Sequence, residues 1–176
     1  MVNRRIVIGV MGSGGEEHID LAEPLGRYLA ESGFDLLTGG GKGVMTSVSR
    51  SFAQTPGKRG IVMGVIPGHP QEDGRCETHP DYPNEWIELP IYTHLPDSGS
   101  RGWDASSRNH INVLTSTVVV ALPGSDGTKS EVHLAVQYGR PVIAFLGEGS
   151  IPDLPDEVSV AKSLDEVKAF IDSAIA

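Results

Sequence analysis

Nine of the 22 glycines in this 176-residue chain fall in three short clusters: Gly12, Gly14 and Gly15; Gly39, Gly40, Gly41 and Gly43; Gly124 and Gly127. Each cluster closes a short apolar run and precedes an amphipathic stretch. A turn of that kind lets a ligand approach main-chain N–H groups, because glycine has no Cβ to hold it off. The helix that follows adds unpaired N–H donors and a partial positive charge. Phosphate or another oxyanion is the chemistry such turns favour. One cluster alone reads equally well as a plain tight turn; three together point to a site. Polar side chains near the clusters extend the pattern. Arg108 precedes Asn109 at a predicted helix start, where a guanidinium can meet a phosphate bidentately, or only form a surface ion pair. Asn109 suits a ligand edge or a cap. Thr128-x-x-Glu131 has the form of a capping box. The other role for Glu131 is a carboxylate at the mouth of an anion site, opposite Arg108. His110 is the best functional candidate among the six histidines, although a structural place suits it too.

Two nucleotide motifs fail when tested on these residues. Lys42 follows Gly41 but precedes Gly43, so no P-loop is formed. Gly12-x-Gly14 is followed three residues later by Glu17, so the third glycine of the dinucleotide fingerprint is missing. The acidic residue expected at the end of the second strand is missing too: Thr38 and Gly39 stand there, and Asp35 lies at the other end. NAD is therefore not an expected cofactor. His69, His79 and His94 lack metal-ligand spacing, so no metal site is expected.

The elements that must position these residues alternate. Apolar runs at 6–11, 35–38, 61–66, 118–122 and 142–146 read as strands covered on both faces. A further strand is expected at 86–89, before Pro90. Between the strands, apolar spacings of three and four predict helices over 19–29 and 44–53, with Gly33 as the stop of the first. Ser106 or Ser107 can cap a helix running to Leu114. A helix over 128–138 stops at Gly139. The last helix, 164–175, opens on Ser163-x-x-Glu166, another capping box. Residues 69–85 and 96–105 read as loops, either lids or plain surface connections. The sum is an α/β chain: a Rossmann-like, three-layer fold with a mostly parallel central sheet and helices on both faces, as one domain over 1–176.

Composition narrows the function. Fourteen Lys+Arg against 23 Asp+Glu give a net charge of −9, without the basic surface that a nucleic-acid polymer needs. A small anion needs only local donors, and backbone N–H groups supply those at no formal charge. Asp153, Asp156, Glu157, Asp165 and Glu166 read as a solvated face. The single cysteine, Cys76, rules out an internal disulfide. No apolar stretch reaches the length of a membrane span, and the basic start Met1–Arg5 leads directly into a strand-like run. The expectation is a soluble cytoplasmic protein.

Taken together, Thr38-Gly39-Gly40-Gly41-x-Gly43-Val44-Met45, Arg108-Asn109 and Leu122-Pro123-Gly124-x-x-Gly127-Thr128-x-x-Glu131 resemble the LOG-like Rossmann superfamily, long labelled as lysine decarboxylases. Nothing in the chain resembles a pyridoxal-phosphate (PLP) lysine site. Two branches compete. In the cytokinin-activating branch, which hydrolyses the N-glycosidic bond of nucleoside 5′-monophosphates, Arg108 and Glu131 match the catalytic arginine and glutamate. Ser106-Ser107, Asn109 and Ser125 depart from that branch's motifs. The molybdenum cofactor carrier branch is the closer match. It is similar through Gly12-Ser13-Gly14, Ser107-Arg108-Asn109-His110-Ile111-Asn112, Ser130-Glu131-Val132 and Tyr138-Gly139-Arg140-Pro141. That resemblance implies a non-catalytic protein that binds and protects the phosphorylated pterin cofactor (molybdopterin with its own metal). It implies a homo-oligomer, dimer or tetramer, and a molybdoenzyme that receives the cofactor. The implied cofactor site has the phosphate on the N–H groups of Gly40, Gly41, Gly43, Gly124, Ser125, Gly127 and Thr128, with Gly12 and Ser13 also binding the cofactor, Arg108 neutralising charge and Asn109 and Glu131 orienting the ligand. The alternative it leaves is a phosphoribohydrolase using Arg108 and Glu131.

Overall fold

The computed structural model describes residues 4–176. Met1, Val2 and Asn3, the start of the basic segment before the first strand, lie outside the described residues. Seven strands form one parallel sheet: β1 (Val7–Met11), β2 (Asp35–Thr38), β3 (Val62–Ile66), β6 (Leu89–Tyr92), β7 (Val118–Ala121), β8 (Val142–Phe145) and β9 (Ser159–Ala161). β4 (His69–Pro70) and β5 (Cys76–Glu77) make a separate antiparallel hairpin. The sheet order is β6-β3-β2-β1-β7-β8-β9. The chain thus steps outward from β1 to one edge, then returns to β7 on the other side of β1. The carboxyl ends of β1 and β7 flank the reversal, and a crevice opens at such a point in parallel sheets.

Five helices cover the sheet: α1 (Ile19–Glu31), α2 (Val44–Gln54), α3 (Asn109–Thr115), α4 (Asp126–Gln137) and α5 (Leu164–Ile175). The period of two along each strand decides which face each residue serves. Ile8, Val10, Val118 and Val120 point to the layer where Leu25 and Leu29 of α1, Val48 and Phe52 of α2 and Ile171 of α5 converge. Met11, Leu37 and Val119 point the other way, to Val113 of α3 and Leu134 of α4. Each fully buried Val, Leu or Ile contributes roughly 1.5–3 kcal/mol over its exposed state, so both helical layers are firmly held. The three-layer architecture expected from the sequence is present, and the main sheet is parallel throughout.

Several boundaries differ from the sequence expectation. The strand expected at 86–89 lies instead at Leu89–Tyr92 and contains Pro90. β6 is an edge strand paired only to β3, so a residue without an N–H is tolerated there. Residues 69–85 are not all loop, because the β4–β5 hairpin forms within them, and Gly99–Arg101 makes one 3-10 turn. β9 has no counterpart among the expected elements. At the start of α5 the capping box is present in modified form: Ser163 Oγ accepts from Glu166 N at 3.3 Å, and the Glu166 carboxylate accepts from Lys162 N at 2.8 Å.

Candidate functional site

The cleft of about 190 Å³ at the carboxyl ends of β1 and β7 is lined by all three glycine-bearing turns and by both helices of the α3–α4 pair. Its floor is Gly12 and Ser13 after β1; its rim is Ser125, Gly127 and Thr128 at the start of α4. Ser13 ties the turns together. Its N–H donates to Pro123 O at 2.9 Å, its carbonyl accepts from Val44 N at 2.9 Å, and its Oγ accepts from Glu16 N at 2.9 Å. Gly43, at φ 64°, closes on the Ser13 carbonyl so tightly that a Cβ would stand 2.3 Å from it. Only glycine fits there.

α4 begins at Asp126, two residues before the expected start. Thr128 and Glu131 are therefore not a capping box: Thr128 already sits inside the first turn, and the Glu131 carboxylate accepts from Asn112 Nδ2 at 2.8 Å. Ser125 is the N-cap and makes no side-chain capping bond. The N–H groups of Asp126, Gly127 and Thr128 have no intrahelical acceptor, as in any first helical turn, and Gly127 and Thr128 line the cleft.

Arg108 is the N-cap of α3 and is only 4% exposed. Its Nε and Nη1 are buried and have no hydrogen-bond partner among the described residues. The guanidinium packs against Gly39, where a Cβ would come within 2.3 Å of Nη1, and its Cζ lies 5.6 Å from the centroid of the Tyr82 ring. No carboxylate of the described residues lies within ion-pair distance of it. A buried cation in this state is costly unless something else completes it. Glu131, 8% exposed, lines the same cleft. Burial raises its carboxyl from the ordinary 4.5 to about 7, against the opposing pull of Arg108 and of the Asn112 hydrogen bond. Near neutrality it therefore exists in both protonated and ionised forms. The cleft offers an unpaired cation, helix-end donors and one carboxyl that can donate or accept a proton. That set suits a compact anion carrying polar groups.

The remaining expected residues divide between the cleft and the framework behind it. Asn109 lines the cleft while its Nδ2 donates to Ser130 Oγ at 2.9 Å; Ser130 Oγ in turn donates to Gly127 O at 2.7 Å. Ser107, one of the two expected caps, accepts from Asn109 N at 3.2 Å. Gly40, Gly41, Gly43 and Gly124 stand outside the lining. The N–H groups of Gly40, Gly41 and Gly124 donate inward, to Thr38 Oγ1 (3.0 Å), Met45 Sδ (3.4 Å) and Ser150 O (3.2 Å), and Gly43 packs on the Ser13 carbonyl. His110 faces away, with Nδ1 2.7 Å from Tyr138 Oη and Nε2 3.1 Å from Asp104 O, which fixes the start of α3. Sequence reasoning missed Tyr82, Ser98, Gly99 and Met45 in the lining, and Asn112 behind Glu131. Asn112 had a signal: it lies four residues after Arg108 and three after Asn109, so the three fall on one side of the helix. Tyr82 and Ser98 sit in aperiodic segments and had none.

The model of the SLOG cluster4 family matches residues 5–173. Among solved structures, the molybdenum cofactor binding protein from the phototrophic bacterium Rippkaea orientalis is 28% identical, with a TM-score of 0.70 over 99% of this chain and 100% of that one. The molybdenum cofactor carrier protein from Chlamydomonas reinhardtii is 26% identical, with a TM-score of 0.71 over 98% of this chain and 99% of that one. An uncharacterized protein of Archaeoglobus fulgidus is 28% identical over 140 residues, 78% of each chain. The solved neighbours include the carrier group to which the motifs pointed.

Proposed function

This chain belongs to the SLOG cluster4 family, and from that premise we propose that it binds the molybdenum cofactor, a phosphorylated pterin, and carries it without turning it over. The observation that carries this reading is the buried Arg108 guanidinium, two of whose nitrogens have no partner among the described residues, in the lining of a cleft rimmed by the α4 N-terminus. The terminal phosphate of the cofactor completes Arg108 and takes the N–H groups of Gly127 and Thr128. Asn109 and Glu131 meet the polar groups next to it. The cofactor brings its own metal as cargo. The kinship in fold to proteins described as binding or carrying this cofactor supports the same choice.

The reading includes a homo-oligomer, a dimer or tetramer, and a cytoplasmic setting in which a molybdoenzyme receives the cofactor. Leu89 and Tyr92 on edge strand β6, and Trp103 and Leu114 near α3, are exposed apolar residues that an oligomer interface would cover. Light scattering coupled to size exclusion tests it; a monodisperse monomer contradicts it. The exposed thiol of Cys76 suits a reducing compartment.

One observation favours a second reading, a nucleoside 5′-monophosphate phosphoribohydrolase. Glu131 shares the cleft with Arg108 and its carboxyl sits at about 7, the range of a general acid or base. Incubation with AMP separates the two. The carrier releases no free adenine and binds isolated molybdenum cofactor saturably. Adenine release that Glu131→Ala abolishes would overturn the carrier.

A further inference from the structure

A second cavity, of about 350 Å³, opens on the far side of Tyr82. It shares Gly14, Tyr82 and Ser98 with the Arg108 cleft, so the two cavities adjoin along these residues. The chemistry changes from one to the other. The inner cavity offers a cation and backbone donors. The outer cavity offers a carboxylate, Asp81, in a lining that also holds Lys42, His69, His79, Pro67 and Pro96. Asp81 Oδ1 stands 2.7 Å from Lys42 Nζ, and Oδ2 stands 3.6 Å from His79 Nδ1. Lys42 holds this carboxyl below the usual carboxylate range, so it is an acceptor across the physiological range. The Lys42 and Asp81 side chains are 63% and 41% exposed. Such a pair is weak and screened, and a ligand displaces the lysine at small cost.

The position of Asp81 is set by the same turn that carries Arg108's floor. Asn84, three residues on, donates from Nδ2 to Gly41 O at 2.7 Å and from its N–H to Gly40 O at 2.8 Å. Tyr82 lies against Gly41 on one side and Arg108 on the other. Acid and base are thus held at fixed places in adjoining cavities before any ligand arrives, which lowers the cost of ordering on binding. The polarity orients the occupant. An anionic end is drawn to Arg108 and repelled by Asp81. A carboxylate recognises best a pair of adjacent N–H donors, which it accepts in parallel. A 2-amino-4-oxo pyrimidine edge presents such a pair, its amino group beside a ring N–H; a 2,4-dioxo edge lacks the amino group.

Resting on the proposed carriage of a phosphorylated pterin, we propose that the ring system lies beyond Tyr82, with Asp81 accepting from its 2-amino-4-oxo edge while the phosphate sits at Arg108. Asp81 is then the specificity residue for the heterocycle, and Arg108 the anchor for the anion. The full chain is titrated by fluorescence with 6-hydroxymethylpterin phosphate and with its lumazine counterpart, in which oxygen replaces the 2-amino group. Inorganic phosphate is titrated by calorimetry. The pterin binds about tenfold or more tighter than the lumazine, and Asp81→Asn brings the two together while phosphate affinity stays unchanged. Equal binding of pterin and lumazine to the wild type, or a ratio that survives Asp81→Asn, overturns the inference. If phosphate still binds in an Arg108-dependent way, the overturn is confined to Asp81. Failure of both phosphate and pterin phosphate to bind takes the carrier reading with it.

Discussion

At the amino ends of the strands, Arg5 donates to both oxygens of Asp35, with Nη2 at 2.6 Å from Oδ1, and reaches Arg59 O at 3.2 Å. Asp35 Oδ1 also accepts from Ile61 N at 2.9 Å. At the carboxyl ends of the same sheet, Arg108 is far more buried, yet its Nε and Nη1 have no partner among the described residues. The first arginine keeps its chain half in water and completes a buried carboxylate that pins β2 to the start of β3. The second is stripped of water and left incomplete. Polar satisfaction at one edge builds the fold; at the other edge two donors of Arg108 stay without a partner among the described residues. The two edges should therefore respond to mutation in opposite ways.

The largest contrast comes from Arg108→Met. It removes an unpaired buried charge, so the apo protein keeps or raises its thermal midpoint. Binding of the molybdenum cofactor, followed by calorimetry, falls by about 100-fold or more. A large loss of apo stability would make Arg108 a framework residue like Arg5. The next effect is a pH dependence at the same edge. The Glu131 carboxyl, raised from 4.5 to about 7 by burial, keeps a proton in the folded state that the unfolded chain has lost. Its contribution to stability is complete below about pH 4.5, falls as pH rises through that window, and is gone above about 7. Across it, wild type should lose roughly 3 kcal/mol relative to Glu131→Gln in denaturant titrations. Parallel profiles for the two proteins would contradict the assignment.

At the opposite edge, Asp35→Ala leaves the half-buried Ile61 N–H without its acceptor. The thermal midpoint should fall by about 5 °C with cofactor affinity unchanged. Weakened binding in this variant would show that the two edges are coupled. The smallest effect belongs to Gly39→Ala, whose Cβ would meet Arg108 Nη1 at 2.3 Å. The guanidinium is the far end of a flexible side chain and swings aside, so stability barely changes while cofactor affinity drops about tenfold. An unchanged affinity would mean that the observed pose of Arg108 is not the binding pose.

The same contrast explains what could be read from the residues alone. Strands β1, β2, β3, β7 and β8 are buried on nearly every side chain and so appear as continuous apolar runs. The edge strands do not. β9 buries only Ala161 of its three residues, and β6 carries a proline and exposes Leu89 and Tyr92. Periodicity has nothing to detect where one neighbour and one face are missing. In the cleft, Gly12, Ser13, Arg108, Asn109, Ser125, Gly127, Thr128 and Glu131 were legible because turns and helix starts leave local signatures. Gly40 and Gly41 share that signature but spend their N–H groups on Thr38 and Met45. Composition cannot tell a turn that faces a ligand from one that faces its own helix. Tyr82 enters the site from 40 residues beyond that turn, brought there by hydrogen bonds from Asn84 that no local pattern encodes.

In the proposed carrier Arg108's unpaired donors wait for the ligand's anion, and the Nε–H resonance of Arg108 reports on them directly. In nitrogen-15-labelled protein that signal is assigned by its loss in Arg108→Met. Titration with isolated molybdenum cofactor should move it with saturation at one cofactor per chain and slow its exchange with water. Cofactor that binds while the Arg108 resonance neither shifts nor gains protection would contradict the account.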